Sequence, residues 1–310
     1  MISYCKKTLP EFRELREEDF LSVKEIYAEQ GCRYCEYTAG VLFLWAEYFG
    51  YSVCIRRGTL FVKGRDAANP NETAFALPVG GGDLDEPLEF LSEYAKKNCG
   101  GRLVLNCVPE EYTEFLVRKY GAKIIGITEM TDWNDYLYSA EELAALTGRR
   151  YNKKRNRVNL FLRKYKNFSF GPITADNLTD VREFLERYAA SKADETPLAL
   201  YEIGRTRAVL NDYFKWGFDG AALYIDGVVR GFTAAETVGD TMFVHIEKAE
   251  REFDGAYQMI NYLFAREMLK KYGIRYINRE DAAGDPGLVQ ARLSYNPIKI
   301  LRKYRVEIEA

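Results

Sequence analysis

The sequence predicts a mixed α/β chain built from two tandem copies of one folding unit. Three observations carry this. A helix with an acidic or polar first turn opens each half, a strand–turn–strand signal follows it, and each half then runs through a strand, a glycine-containing loop, a long helix, a short strand and a closing segment. Self-similarity on this scale marks a repeated architecture.

The elements pair off in order. Residues 16–26 place Phe20, Val23 and Ile26 where residues 174–184 place Leu178, Val181 and Phe184, which makes one apolar helical face in each copy. Residues 51–62 read as strand, tight turn, strand; residues 222–233 read the same way, with Asp226-Gly227 as the hairpin turn. Long helices follow at 87–98 and 256–272, β-rich runs at 102–108 and 275–278, and closing segments at 115–124 and 291–300. This is the element order of the GNAT acyltransferase fold. The expectation is therefore an α/β (α+β mixed sheet) chain of two tandem GNAT-like acyltransferase domains, 1–134 and 135–310, with the candidate active site in the second. Trp133, Tyr136 and Tyr138 at the boundary are expected to dock the halves together.

Nearly half of the 310 residues are apolar, enough for two cores, and 44 basic against 46 acidic residues leave a net charge of −2. Local charge therefore says more than the total. No apolar run is long enough to span a bilayer, and residues 1–12 lack the apolar stretch of a secretion signal, so a cytoplasmic location is expected. Of six cysteines, only Cys32 and Cys35 form a Cys-x-x-Cys pair, and His245 is the single histidine. Zinc needs four ligands, so no metal site is expected and reduced thiols are the plain reading.

Residues 149–166 form a basic helix in which Arg149, Arg150, Lys153, Lys154, Arg155 and Arg157 crowd the first turns, with Val158, Phe161, Leu162 and Tyr165 on one apolar face. Cations at a helix start oppose its macrodipole. An anionic partner, such as RNA phosphate or a lipid headgroup, would justify them; so would a solvated face paired with acids such as Glu141 and Glu142.

The run 242–250 alternates, so Phe243, His245 and Glu247 share a strand face, opposite Val244, Ile246 and Lys248. Acyl transfer to an amine needs a proton acceptor, and either His245 or Glu247 can supply one. A second strand ends in Asn278, Arg279, Glu280 and Asp281, and ligands gather beyond the carboxyl ends of such strands. Acyl-CoA use requires an Arg/Gln-x-x-Gly-x-Gly/Ala loop at a helix start. Residues 251–256 keep Arg251 and Ala256 but put Asp254 where glycine belongs, with Glu250 and Glu252 beside it, which argues against ordinary acetyl-CoA binding.

These segments together resemble a family of bacterial tandem-GNAT proteins related to the C-terminal domain of phosphatidylglycerol lysyltransferases and, more distantly, to the Fem peptidyltransferases. The matching pieces are Cys35-Glu-Tyr with Trp45, Asp135-Tyr-Leu-Tyr, Gly148-Arg-Arg-Tyr with Lys154-Arg-Asn, His245-Ile-Glu-Lys-Ala, Ile277-Asn-Arg-Glu-Asp and Ser294-Tyr-Asn-Pro. The resemblance implies an aminoacyl donor, aminoacyl-tRNA, in place of acyl-CoA, and no other cofactor. It also implies a basic residue near the final helix; Arg292 stands about where the family has lysine, and arginine changes the hydrogen-bond geometry.

The reading that follows is an aminoacyl transferase with an unidentified acceptor. His245, Glu247, Arg279 and Glu280 are the catalytic candidates. Lys248, Asn278, Arg292 and Tyr295 are candidate substrate contacts, and Lys153, Lys154, Arg155 and Arg157 hold phosphates of tRNA or of another phosphate-bearing substrate. An acyl-CoA-dependent N-acyltransferase and a non-catalytic binding protein are the alternatives.

Overall fold

The computed structural model describes residues 11–66, 69–192 and 196–310. It has two mixed α/β units with the GNAT-like fold. Among the described residues, one comprises 11–32, Trp45–Trp133 and Arg302–Ala310; the other comprises Arg33–Leu44 and Asn134–Leu301. The single cut read from the sequence at 134/135 thus assigns two segments, 33–44 and 302–310, to the other side.

The first unit's sheet is built from β1 (Arg13–Glu14), β2 (Ser52–Arg56), β3 (Thr59–Arg65), β4 (Thr73–Phe75), β5 (Val79–Gly80), β6 (Arg102–Pro109) and β7 (Ile124–Glu129), together with the last strand of the chain, β15 (Lys303–Glu309). Its order is β1-β2-β3-β4-β6-β15-β7, with β5 on β3. The second sheet has β8 (Asp135–Ser139), β9 (Phe168–Pro172), β10 (Asp219–Ile225), β11 (Val228–Val238), β12 (Thr241–Ala249), β13 (Tyr276–Asn278) and β14 (Lys299–Leu301), in the order β14-β8-β13-β12-β11-β10-β9. Each sheet contains one parallel pair, β4 with β6 and β12 with β13. A helix crosses over between the members of each pair, Asp85–Asn98 in the first and Ala256–Tyr272 in the second.

The hairpin turns match their sequence signal. Asp226 and Gly227 have φ of 51° and 76°, and Arg57 and Gly58 have 50° and 75°. Two positive φ values in a two-residue loop follow the twist of the strands, and glycine takes one of them without strain.

The boundary segment is a strand. After β7 the chain enters β8, which pairs with β13 and β14 in the second sheet, while β15, after β14, inserts between β6 and β7 in the first. The closing strands of the two units are exchanged along the chain. Tyr136 and Tyr138 are consequently core residues of the second unit, and Trp133 packs on Phe49 within the first, ring centroids 5.8 Å apart. Each aromatic expected to join the halves is accounted for inside its own unit.

Each unit has its own core. Leu88, Leu91, Leu103, Leu105, Val306 and Ile308 anchor the first; Phe161, Leu223, Met259, Ile260, Phe264 and Ile277 anchor the second. Fully burying one such side chain contributes about 1.5–3 kcal/mol, which is why the long helices at 85–98 and 256–272 hold their amphipathic or apolar faces to the sheets.

Candidate active site at a fork between two strands

Strands β12 and β13 run together only over Thr241↔Tyr276, Met242↔Ile277 and Phe243↔Asn278. Beyond these residues they part. The four catalytic candidates bridge the opening. Glu247 of β12 accepts a hydrogen bond from Arg279 Nη2 at 2.7 Å, and His245 Nδ1 lies 2.6 Å from Glu280 Oε1. The chain turns sharply after β13, with Glu280 at φ 60°, and its amide donates to Asn278 Oδ1 at 2.6 Å. Asn278 is thus an organiser: it also donates to Arg33 O at 2.7 Å and Asp135 Oδ2 at 2.8 Å, and it is fully buried.

His245 sits in a cage. Its ring is fully buried, with Glu280 on one nitrogen and Glu236 of β11 3.4 Å from the other. Burial opposes a charged ring, but the two carboxylates outweigh it and push the imidazole pKa up to about 9. Near neutral pH the ring therefore already carries its proton. Gly40 lies against Nε2, where a Cβ would collide with the ring, and the Gly40 amide donates to Glu236 Oε2 at 2.8 Å. The segment 33–44 is held by further ties: Arg33 with Asp240 at 2.9 Å, and the Cys35 amide and thiol on Asp135 at 2.7 and 3.3 Å.

Cations gather on the open side of the fork. Arg279 is 6% exposed, and its Nε and Nη1 make no hydrogen bond among the described residues. Its guanidinium lies 4.7 Å from the Tyr295 ring centroid, and Lys154 Nζ lies over the same ring at 3.7 Å. Lys154 also donates to Ser294 Oγ at 2.6 Å. Burial, with Arg279 nearby, pushes the Lys154 amine down to about 8. Burial and Arg279 likewise lower the Arg292 guanidinium, which has no ion pair among the described residues and whose Nε has no hydrogen bond. Tyr138, pushed up to about 12 by burial, donates its hydroxyl proton to Arg292 O at 2.9 Å. An apolar groove of about 610 Å³, lined by Gly284, Pro286, Val289, Gln290, Leu293 and Ser294, adjoins this cluster through Ser294.

The remaining candidates lie elsewhere. Lys248 points to the opposite sheet face, as the alternation predicts, and pairs with Glu202 at 2.7 Å. The basic helix is real, Asn152–Lys164 after a short 3-10 turn at Arg149–Tyr151, but its cations are mostly engaged. Arg155 donates to Leu146 O and Gly148 O, and Arg150 pairs with Glu142. Lys153 is exposed and makes no ion pair among the described residues. Arg157 and Lys164 both meet Asp254, Arg157 at 3.6 Å.

That last contact changes the reading of the loop at 251–256. Asp254 pairs with Lys164 and Arg157, and Glu250 with Arg187 and Arg230, so two of the three acids beside this loop already meet cations and repulsion alone does not close it. Geometry closes it. The Asp254 amide donates to the Tyr165 hydroxyl at 3.2 Å and the Ala256 amide to Phe253 O at 3.0 Å. A Cβ on Gly255 would stand 2.5 Å from Arg157 O. The basic helix covers the helix start where a pyrophosphate would bind.

Among the described residues one group, Cys35, Asp135 and Asp281, brings metal-ligand atoms within 4.8 Å. Asp135 already receives the Cys35 amide, the Cys35 thiol and Asn278, which makes it an anchor for the 33–44 segment. Cys5 lies outside the described residues, and the other five cysteines form no disulfide among the described residues. Sequence reasoning missed Glu236, Gly40 and Asp135. The available signal for the two carboxylates was that each is the lone acid of its strand.

The family profile described as phosphatidylglycerol lysyltransferase, C-terminal, matches residues 27–307. The chain belongs to this family. The fold is similar to a conserved protein of unknown function from Bacteroides thetaiotaomicron, with TM-score 0.85 and 28% identity over 97% of this chain and 100% of that one. It is also similar to L-PGS from Bacillus licheniformis, with TM-score 0.67 and 12% identity over 96% and 93%, and to FemX, with TM-score 0.61 and 10% identity over 96% of each. An uncharacterized protein of Mycoplasmoides gallisepticum is 24% identical over 198 residues, 63% of this chain; the chain spans 61% of that relative's length. Among the described residues no helix is long and apolar enough to cross a membrane.

Proposed function

We propose that this lysyltransferase-family chain is a cytoplasmic aminoacyl transferase that takes an amino acid from aminoacyl-tRNA and passes it to an acceptor amine or hydroxyl at the fork. The observation that carries the reading is Arg279, a buried guanidinium with two nitrogens unbonded and its orientation fixed by Glu247. Attack on an ester carbonyl builds negative charge on oxygen, and preorganised donors in a site shielded from water stabilise it. Glu247 Oε1 holds Arg279; Oε2, which makes no hydrogen bond among the described residues, receives the acceptor's proton. His245 and Glu280 position the fork instead of exchanging protons, because the ring is already protonated between two carboxylates. The covered helix start at Gly255 supports a donor other than acyl-CoA.

The test compares binding of aminoacylated and deacylated tRNA over a salt series, beside calorimetry with acetyl-CoA. Preference for the charged form, weakening as salt rises, is expected. Equal or absent tRNA binding together with tight acetyl-CoA binding would overturn the proposal.

A further inference from the structure

We propose that β7, the edge strand of the first unit's sheet, pairs antiparallel with the β7 of a second copy of this chain and joins the two sheets across a twofold axis. The proposal concerns the first unit alone and rests on nothing read from the fork in the second.

Strand β7 ends the sheet order and pairs only with β15 among the described residues. Its backbone shows which groups face outward. The Met130 amide donates to Lys303 O at 2.8 Å, one step beyond the pair Tyr304↔Glu129. Residues of an antiparallel pair turn alternately toward and away from their neighbour. Thr128 and Gly126 therefore turn their amides and carbonyls to β15, and Ile127 turns its own outward. An edge of this kind is a template for another strand. Its side chains suit one as well, since Ile125 is 58% exposed and Ile127 38%. Lysine, proline and bulges ordinarily protect such edges. Here the protection is confined to the start, where Lys123 precedes the strand and the register with β15 slips between Ile124 and Gly126. From Gly126 to Glu129 the ladder is regular and holds no proline.

Charge order selects a second copy as the occupant. The strand begins after Lys123, which is exposed and makes no ion pair among the described residues, and it ends at Glu129. Antiparallel pairing lays the Lys123 end of each copy beside the Glu129 end of the other, so opposite charges meet twice across the axis. Parallel pairing would set like beside like. Glu129 meets Arg302 at 3.8 Å, a long contact on an exposed arginine that leaves it able to share a second cation. Near the axis the two Ile127 exchange backbone hydrogen bonds and cover each other's side chains. A six-residue strand pair is small beside the roughly 1,200–2,000 Å² of a stable interface. The dimer expected is therefore weak, dissociating in the roughly micromolar range.

Sedimentation velocity of the full chain, from about 1 to about 200 μM, tests this. Monomer should pass to dimer over that range, and hydrogen exchange at the Ile127 amide should slow as concentration rises. I127P removes an outward N–H and spares the ladder with β15, a place where an edge strand accepts proline. It should keep the circular dichroism of the parent and lose the dimer. K123E and E129K should each weaken association about tenfold by setting like charges together, and K123E/E129K should regain most of it. The exchanged charges decide the matter even if I127P does not fold, because a role for Glu129 within one copy would not be restored by a change at Lys123. A monomer at the highest concentration would overturn the proposal and leave the edge to a strand of a different protein. A dimer that survives in folded I127P, or a double charge variant no better than the single ones, would overturn it too.

Discussion

Glu247 and Arg279 face each other at 2.7 Å across the point where β12 and β13 separate, and both side chains are more than nine-tenths buried. Breaking a buried ion pair strands the surviving charge. E247Q and R279Q should therefore each lower stability by about 3–5 kcal/mol. The double variant should lose less than the sum, because neither charge is then left alone. Urea denaturation of all four proteins measures the coupling; strict additivity would mean the pair is not what holds the fork.

His245 makes stability depend on pH. Its folded pKa of about 9 lies above the ordinary value of 6.5, so the caged ring contributes fully below pH 6.5, and the contribution is lost as pH rises through 9. Urea midpoints at pH 6.0, 7.5 and 9.0 should fall in that order. H245Q should be less stable at pH 6 and show a flatter profile across this window.

Gly40 exists for the imidazole. A Cβ at this position meets His245 Nε2, so G40A should cost about 1–3 kcal/mol by overpacking, although alanine favours a helix. A thermal melt decides it, and an unchanged or raised Tm would show that the 33–44 segment can shift away from the ring.

The basic helix should behave as a mixture of tied and untied cations. K153E should change stability by no more than about 0.5 kcal/mol, since Lys153 is exposed and makes no ion pair among the described residues. R155E should cost about 1–3 kcal/mol, because Arg155 ties down the Leu146 and Gly148 carbonyls. Comparing both variants by denaturation and by tRNA affinity separates a folding role from a phosphate role. Equal stability losses would mean the ties at Arg155 contribute nothing.

Acetyl-CoA should give no binding heat at the second unit's helix start. G255A should not rescue it, and should itself destabilise the protein, because residue 255 has φ of 86° and approaches Arg157 O.

The sequence by itself determined the elements and the GNAT-like repeat. Helix faces such as Leu178, Val181 and Phe184, and turns such as Asp226-Gly227, are local signals, fixed by spacing and backbone preference within a dozen residues. It also nominated Glu247, since alternation sets which side of a strand a residue faces, and Arg279, since it stands just beyond the carboxyl end of a strand. Only the tertiary structure decided the pairings. Which sheet β8 and β15 would join depends on hydrogen-bonding partners far away in sequence, and two alternating strands look alike until a neighbour is chosen. The same holds for charge. His245 read as a free base because Glu236 and Glu280 were not known to flank it, and Asp254 read as repulsive because Lys164 and Arg157 were not known to meet it. A side chain's protonation and free energy are set by what stands within a few ångströms, and folding alone fixes that distance.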